Sequence, residues 1–491
     1  MRRTRPSARI PAPAERGLRC KGPVSGSVAG DHDAARDRPP FSRLPVATGR
    51  PGLSLIPPLH AAFLLFAVAC TASAPAVDPD LATYIAGIHA IDDHAHPMRP
   101  VMAGEPADTD FDALPLDGIP PFDIPWRLLL ENPEWDGVAR VVFDVADADT
   151  SADGLRAARE QARAAHGRDY ALWVLDRIGT DIMLANRIAM GDGLAPPRFR
   201  WIAFADPLLF PLDTGAEAGR TPDAAALYPK EDALLRRYMA DLGVTTLPRS
   251  LAGFVTDVVF ATLGRERQLG AVAIKFEAAY LRSLDFTDPD ADAATRVYAR
   301  YVNGGAPTRA EYKVLEDYLF REIAREAGRL GMVVQIHVFN GFGGYYDTSG
   351  SEPRRLQPVF DDPSLRGTRF VIVHGGWPEV GQSESMMSKP NVWADISMMD
   401  LVLEPSRLAL VLRQWLQRWP DRVLFGSDAF DGGPDQTWAD VAAFSSRSAR
   451  DALGIALTGM LRDGEITRER AQDLARMVLR ENALAVYPLA D

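Results

Sequence analysis

The stretch Ile91-Asp92-Asp93-His94-Ala95-His96-Pro97 decides how the rest of the chain is interpreted. An apolar run from Tyr84 to Ile91 leads into it, and Pro97 ends it. In a β-strand, residues i and i+2 project to the same face, so we expect His94 and His96 to point the same way, about 6–7 Å apart along the strand. That spacing allows two imidazoles to bind one metal ion at metal–nitrogen distances of about 2 Å.

The composition is that of a chain with a large folded core. The chain has 491 residues, of which 47% are hydrophobic and 24% charged. Its two cysteines, Cys20 and Cys70, precede residue 75, which excludes a disulfide and a cysteine metal cluster from the remainder. Residues 1–50 carry eleven Lys or Arg against four acidic residues, so the net charge of −12 leaves −19 for residues 75–491. A segment that acidic argues against nucleic-acid binding and against a basic membrane-surface patch.

The first 76 residues are predicted to lie outside the folded domain. Residues 1–50 are rich in Pro, Gly and Ser without apolar periodicity, which predicts a disordered basic extension. Residues 51–76 are uncharged and contain an apolar run, Ala61 to Cys70, whose length suits a signal peptide. Cys70 also resembles a lipoprotein site, and a lipid anchor there would be the one membrane attachment. We therefore expect an exported protein, either periplasmic or lipid-anchored.

From Val77 onward, short apolar runs alternate with helical stretches, a pattern typical of a parallel sheet with helical crossovers. Eight runs are predicted as strands, which is the number in a (β/α)8 TIM barrel of the α/β class. They are Ile88–Asp92, Asp181–Leu184, Arg200–Ala205, Gly270–Phe276, Met332–His337, Arg369–Val373, Val392–Ile396 and Arg422–Phe425. The barrel domain is therefore assigned to residues 77–491.

Two connections are too long for simple crossovers. They span about 97–180, after strand 1, and about 206–269, after strand 3, and both contain helical patterns. Because both follow strand ends, we expect these two insertions to cover the catalytic face of the barrel.

Residues with metal-binding or acid–base chemistry end four of the predicted strands. His94 and His96 end strand 1, His337 strand 5, His374 strand 6 and Asp428 strand 8. Barrel enzymes build their active sites at the carboxyl ends of the strands. Neutral imidazole and carboxylate groups are suitable ligands for Zn, Mn or Fe. Alone, each residue has an ordinary structural interpretation, such as a core histidine or a helix N-cap, but together they predict a metal centre.

The motifs resemble the amidohydrolase superfamily, and within it the amidohydrolase-related branch. That branch includes the domains fused to glutamine synthetase and enzymes of the aminocarboxymuconate-semialdehyde decarboxylase type. The resemblance covers about residues 85–488. Its motifs are Asp92-Asp-His-Ala-His-Pro97, His374-Gly-Gly-Trp-Pro378, Val392-Trp-Ala-Asp-Ile-Ser397, Leu424-Phe-Gly-Ser-Asp428 and Glu481-Asn-Ala-Leu-Ala-Val-Tyr487.

The resemblance implies a role for each of these residues. His94, His96, His337 and Asp428 would bind a divalent metal, with zinc as the expected ion. Asp428 would also act as general base toward metal-activated water. His374 would be an acid–base or carbonyl-polarising residue.

Lys275 ends the predicted strand 4 and has two interpretations. In binuclear amidohydrolases a lysine at this place is carboxylated and bridges two metals; here it could instead stay a cation that holds a substrate carboxylate. We favour one tightly bound ion, with a second left open. Arg282, Tyr280 and Trp377 are candidate substrate contacts.

These features predict a metal-dependent hydrolase of a small-molecule amide, another C–N bond or an ester. Two alternatives stay open at this point. One is a non-oxidative decarboxylase, a lyase, of an aromatic or unsaturated carboxylic acid, because the same branch contains such enzymes with the same ligands. The other is a non-catalytic exported binding protein. A homodimer is the assembly that the resemblance suggests.

Overall fold

The eight predicted strands form one parallel sheet in which each strand pairs with the next along the chain. The structure is a computed structural model and describes residues 77–114, 124–145, 151–219, 222–339 and 347–489. Helices connect most successive strands, while β2 and β3 are joined by a loop, and the fold is the predicted (β/α)8 TIM barrel. The strands are β1 (Ala90–Ala95), β2 (Thr180–Asn186), β3 (Phe199–Phe204), β4 (Ala271–Phe276), β5 (Val333–His337), β6 (Phe370–Val373), β7 (Val392–Asp395) and β8 (Val423–Leu424).

The α-helices of the described residues surround this barrel. Their ends follow local sequence rules: Thr308 and Glu311 form a capping box at the start of a long helix, and Thr437 and Asp440 form another. The helices are α1 (Pro79–Ala86), α2 (Glu134–Phe143), α3 (Ala152–His166), α4 (Tyr170–Ile178), α5 (Gly215–Ala218), α6 (Tyr228–Asp241), α7 (Leu251–Phe254), α8 (Ala261–Gln268), α9 (Ala291–Tyr301), α10 (Arg309–Arg329), α11 (Gln357–Phe360), α12 (Val380–Met386), α13 (Met399–Val402), α14 (Pro405–Leu416), α15 (Trp438–Arg462), α16 (Arg468–Arg476) and α17 (Asn482–Val486).

The predictions for residues 1–50 and 51–76 lie outside the described residues. Within the described ranges, no helix combines the length and the apolar character that crossing a membrane requires.

The first strand lies further along the chain than predicted. The sequence placed it at Ile88–Asp92, whereas β1 runs from Ala90 to Ala95 and contains His94. The prediction followed apolar character, but the second half of β1 is polar and fully buried, because its side chains hydrogen-bond inside the barrel instead of packing in an apolar layer.

Strand β1 also carries a β-bulge, with one extra residue relative to β2 after Asp92. As a result, the adjacent residues Asp93 and His94 both reach partners inside the barrel. His94 Nδ1 lies 3.0 Å from Gln335 Oε1 on β5. Asp93 Oδ2 accepts a hydrogen bond of 3.0 Å from the hydroxyl of Tyr487, just after α17. The simple two-residue alternation assumed for this strand is therefore broken at the site.

Backbone hydrogen bonds between β1 and the residues around the end of β8 close the barrel. Asp93 N donates to Phe425 O at 2.9 Å, and Asp428 N donates to His94 O at 2.8 Å. The side chain of Asp92 adds to this contact, since its Oδ1 accepts from Ser427 N at 2.9 Å and its Oδ2 accepts from the Ser427 hydroxyl. This closure sets Asp428 beside the histidines of β1.

The two insertions meet each other above the carboxyl ends of the strands. In helix α6 of the second insertion, the hydroxyl of Tyr238 donates to Phe204 O at the end of β3, at 2.9 Å. The guanidinium of Arg237 on the same helix forms two hydrogen bonds, of 2.7 and 3.0 Å, with the carboxylate of Asp110 in the first insertion. Helix α6 is thus held over the catalytic face of the barrel.

We predict that Gly426→Ala will destabilise the fold and weaken metal binding. A Cβ at Gly426 would lie 2.6 Å from Asp93 Oδ1 and 3.2 Å from His94 Cβ, so the closure of β1 and β8 would have to shift. The expected loss of unfolding free energy is about 1–3 kcal/mol, the usual cost of overpacking. Chemical denaturation and zinc titration measure both effects.

Gly381→Ala is the matched control for this experiment. A Cβ at Gly381 has open space around it on helix α12, so alanine should leave stability and zinc affinity unchanged or raise stability slightly. Equal behaviour of the two variants would contradict the role given to the contact between β1 and β8.

Candidate metal centre

Three predicted ligands come within reach of a single ion at the carboxyl end of the barrel. His94 Nε2 lies 3.3 Å and His96 Nε2 3.5 Å from Asp428 Oδ1. The ligand atoms of these three residues all lie within 4.8 Å of one another, and all three side chains are buried. The two imidazole rings are nearly perpendicular, with centroids 5.1 Å apart. Two nitrogens and one oxygen in this arrangement match the donor set of a catalytic zinc site.

The backbone at Asp428 adopts a left-handed conformation that few non-glycine residues use. Its φ is 50°, and φ at His374 is 65°. Such conformations cost about 1–3 kcal/mol and persist only where the surrounding structure enforces them. At Asp428, the hydrogen bond from its N–H to His94 O enforces it. The sharp bend after β8 turns the carboxylate toward the imidazoles.

The tautomer of His94 follows from its partner Gln335. The amide nitrogen of Gln335 donates to Asp93 O at 2.7 Å and to the Tyr487 hydroxyl at 2.8 Å, which leaves Gln335 Oε1 as the acceptor. His94 Nδ1 must therefore carry the proton that bonds to this oxygen, and His94 Nε2 carries a lone pair. That lone pair accepts a hydrogen bond from the ammonium of Lys275 at 3.0 Å, and Asp428 Oδ1 lies 3.3 Å from the same nitrogen.

Two acceptors this close to each other are stabilised by positive charge beside them, and this is the observation that tests the fit of a metal. His94 Nε2 and Asp428 Oδ1 are 3.3 Å apart, and neither carries a hydrogen in this tautomer. The ammonium of Lys275, 3.0 Å from the same nitrogen, supplies positive charge on one side. The donor set therefore fits a divalent metal bound by His94, His96 and Asp428.

The Nδ1 atom of His96 faces a carboxylate from the first insertion. It lies 3.5 Å from Asp112 Oδ2. A carboxylate behind a metal-binding imidazole orients the ring and raises its basicity. Asp112 was not predicted as part of the site, and no strand-end pattern marked it, because it lies in an insertion.

His337 lies beside this group but interacts with His374. Its Nδ1 is 3.0 Å from His374 Nε2 and 3.1 Å from the hydroxyl of Tyr280. Among the described residues, the set of atoms that one ion could reach contains His94, His96 and Asp428 and not His337. His337 as a fourth ligand remains a prediction from the resemblance.

A chain of hydrogen bonds holds His374. Asp395 Oδ1 accepts from the backbone N–H of His374 at 2.7 Å and from the Ser397 hydroxyl at 2.7 Å. Ser397 Oγ in turn lies 2.9 Å from His374 Nδ1. Because the serine proton goes to Asp395, His374 Nδ1 donates to the serine oxygen, and His374 Nε2 is the basic nitrogen. Asp395 and Ser397 belong to a motif quoted above, but the sequence gave no reason to assign them this role.

Burial keeps the histidines of the site neutral. Desolvation lowers the pKa of His94, of His96 and of His374 well below the ordinary value of 6.5. The positive charge of Lys275 lowers all three further, while the Gln335 hydrogen bond acts in the opposite direction on His94. Neutral imidazole is the form that binds metals, so these ligands need lose no proton near neutral pH.

Three of the remaining candidate residues lie at or beside the site. Lys275 is buried at the site, with Nζ 4.0 Å from Glu277 Oε1. Tyr280 reaches His337, and Trp377 stacks on Phe339 with ring centroids 5.4 Å apart, next to His374.

Arg282 is not brought to the site. Its guanidinium donates to Glu316 and to Asp317, each at 2.6 Å, and lies over the ring of Phe286. These contacts, together with a third to Ser283 O, engage each of its nitrogens, so Arg282 holds the loop after β4 in place and is not positioned to bind substrate. The sequence could not separate this role from substrate binding, because the acidic partners lie on α10.

We predict that zinc affinity will change little between pH 8 and pH 6. For an exposed histidine pair, affinity falls as the pH drops through 6.5, because protons compete with the metal. Here the lowered pKa of His94 and His96 moves that competition to more acidic conditions. Competitive zinc titration at pH 8, 7 and 6 measures the effect, and a drop of tenfold or more between pH 7 and 6 would refute it.

We also predict that Asp428→Asn will weaken zinc binding by about a hundredfold or more, because it removes the one anionic ligand of the group. Asp421→Asn, which changes an exposed carboxylate, serves as the control and should bind zinc like the wild type. Elemental analysis after dialysis gives the metal content, and wild-type content in Asp428→Asn would exclude Asp428 as a ligand.

The chain is similar in sequence to a known protein family and to a curated protein. The model of the family described as "Amidohydrolase" matches residues 91–489. A curated relative, Protein fluG of Emericella nidulans, is 24% identical over 229 residues, which are 44% of this chain and 26% of that protein. The chain thus spans about a quarter of the length of this relative.

Solved structures share the fold. Glucuronate isomerase from Caulobacter crescentus aligns with a TM-score of 0.55 at 13% identity, covering 84% of this chain and 94% of its own. Uronate isomerase from Thermotoga maritima gives 0.52 at 12%, with coverages of 84% and 98%. A Lactobacillus casei protein whose name proposes a metal-dependent hydrolase gives 0.53 at 16%, also with coverages of 84% and 98%. At these identities the likeness concerns the barrel alone.

Proposed function

Because the chain belongs to the amidohydrolase family, we propose that it is a metal-dependent hydrolase that cleaves an amide, another C–N bond or an ester in a small molecule. The observation that carries the proposal is the meeting of two neutral imidazoles and one carboxylate at the mouth of the barrel, with acceptor atoms turned toward each other. Zinc is the proposed ion, because it accepts nitrogen and oxygen donors with an open position.

His94, His96 and Asp428 would hold the metal. A bound divalent ion lowers the pKa of water from 15.7 to about 7 and polarises a carbonyl group. The carboxylate of Asp428 has a second oxygen, Oδ2, which lies 3.9 Å from His374 Nδ1. Asp428 can therefore take a proton from the attacking water as general base and deliver it to the leaving group.

His374 would act on the substrate through Nε2, its basic nitrogen. Its Nδ1 is bonded to Ser397 and its Nε2 to His337, so the ring orientation is fixed from both sides. On taking up a proton from water at the basic Nε2, His374 can donate a hydrogen bond from that nitrogen to a carbonyl oxygen that gains negative charge. The ring of Phe339 lies against His374, and Trp377 stacks on Phe339.

A substrate panel tests the reaction type. Zinc-loaded protein should release amine or acid from members of a panel of small amides, lactones and esters. An aromatic or unsaturated acid in the same panel should release no carbon dioxide. Carbon dioxide release without hydrolysis would replace the proposal by the decarboxylase alternative.

We predict that Ser397→Ala will lower kcat for the hydrolysed substrate by about ten- to a hundredfold, because His374 loses the hydroxyl that fixes its ring. Zinc content should stay at the wild-type level, since the side-chain hydrogen bonds of Ser397 go to His374 and Asp395. Ser388→Ala is the control: it removes an exposed hydroxyl that donates to Ser385 O, and it should retain wild-type kcat. An unchanged kcat in Ser397→Ala would show that His374 needs no orientation for the reaction.

A further inference from the structure

Four carboxyl groups, three buried and one partly exposed, lie around Lys275 and His96, and the reaction outlined above uses none of them as acid or base. We call Asp112, Asp206, Glu231 and Glu277 the acidic cluster. Asp206 follows β3 and Glu277 follows β4, while Asp112 comes from the first insertion and Glu231 from helix α6 of the second. The cluster therefore combines two strand ends with both insertions.

Helix α6 turns Glu231 toward the barrel. Tyr228 and Tyr238 on the same helix donate hydroxyl hydrogen bonds to Leu281 O after β4 and to Phe204 O at the end of β3. Glu231 lies three residues after the first tyrosine and seven before the second, so all three share one face of the helix. Asp206, Glu277 and Asp112, in that order of strength, are the charged groups that act on its carboxylate, and burial raises its pKa well above the ordinary value.

Several oxygens of the cluster have no hydrogen-bond partner among the described residues. Both oxygens of Glu231, Oδ1 of Asp206 and Oε2 of Glu277 are enclosed and unbonded. Glu231 is 1% exposed, and Asp206 is also 1% exposed. A buried carboxylate without a partner is costly, so each such oxygen represents unused binding capacity for a hydrogen-bond donor with positive charge.

The local charges are unbalanced. In the described part of the chain, Lys275 is the cation that acts on Asp206 and Glu277, and no cation acts on Glu231. Lys275 is also shared with His94, at 3.0 Å. Burial raises the pKa of Asp206, Glu231 and Glu277, and a bound cation would favour their ionised forms, which one lysine cannot compensate.

The geometry suits an organic cation better than a second metal ion. Among the described residues, the group whose ligand atoms could surround one ion is His94, His96 and Asp428, and no such group forms within the acidic cluster. An ammonium or guanidinium group carries several N–H donors that reach oxygens spread over a wider space. Asp112 lies 3.5 Å from His96, so a group bound here would sit next to the reacting bond.

We propose that the acidic cluster binds a positively charged nitrogen group of the substrate, a primary ammonium or a guanidinium, and so selects substrates that carry such a group close to the bond that is cleaved. The assignment of this group to a substrate rests on the proposed function. The binding of the cation itself does not.

The binding test uses n-butylammonium, with 1-butanol and butyrate as neutral and anionic probes of similar size. Calorimetry on metal-free and on zinc-loaded wild-type protein should give at least tenfold tighter binding of n-butylammonium than of either other probe. Glu231→Gln should lose about tenfold of that affinity, because it keeps the shape and removes the charge. Asp206→Asn provides a second variant should Glu231→Gln fail to fold, with circular dichroism as the check.

Glu266→Gln is the matched control. Glu266 is equally buried and has an unbonded oxygen, but it lies on α8, and the charges that act on it are those of Arg265 and Asp241. This variant should bind n-butylammonium like the wild type. Equal affinity for the three probes, or full n-butylammonium affinity in both cluster variants, would overturn the proposal. So would a second equivalent of zinc that Glu231→Gln loses.

The outcome is separable from that of the proposed function. Loss of zinc binding or of hydrolysis in the wild type would remove the metal-dependent reaction, while the ammonium measurement on metal-free protein would still stand. If hydrolysis is found, glycinamide against propionamide gives the kinetic form of the test. We expect a preference of at least tenfold in kcat/KM for the charged amide in the wild type, and a smaller one in Glu231→Gln.

Discussion

The closure of the barrel between β1 and the end of β8 is the constraint on which the site depends. Backbone hydrogen bonds from Asp93 to Phe425 and from Asp428 to His94 join segments that lie more than three hundred residues apart in the sequence. The buried contact between Asp92 and Ser427 strengthens the joint, and burial raises the pKa of Asp92 to about 7. The same hydrogen bonds that close the barrel bring the carboxylate of Asp428 to the imidazoles, so fold and site share one set of interactions.

Behind the metal-binding group lies a layer of polar side chains whose purpose is orientation. Gln335 fixes the tautomer of His94, and the pair Asp395 and Ser397 fixes the ring of His374. Each has few alternatives, because it is enclosed and makes more than one hydrogen bond inside the barrel. A buried network of this kind is costly if one member is missing, and it leaves the reactive atoms little freedom to rearrange. The strained backbone at Asp428 and His374 is stable in this setting because the surrounding hydrogen bonds hold it.

Much of this could be predicted from the sequence, for physical reasons. Buried parallel strands are short apolar runs, and a residue such as His337 or Asp428 at the end of one must lie at the mouth of a barrel. The bulge in β1 could not be predicted, because it depends on pairing with β2 and on partners from β5 and the segment after α17. Arg282 looked like a substrate contact since its acidic partners on α10 are distant in sequence. Glu231 has the pattern of an ordinary helix surface residue, and only the docking of α6 buries it.

The contact of Tyr487 with Asp93 and Gln335 has a consequence for how the protein is made. During synthesis, a ribosome releases β1 almost four hundred residues before the tyrosine that completes its hydrogen bonds. Until β8 and helix α17 have emerged, Asp92 and Asp93 lack their partners Ser427 and Tyr487, so these two carboxyl groups must remain hydrated. The nascent chain can therefore assemble its central strands early. It acquires the geometry of the site in a late step, when β1 joins the end of β8 and Tyr487.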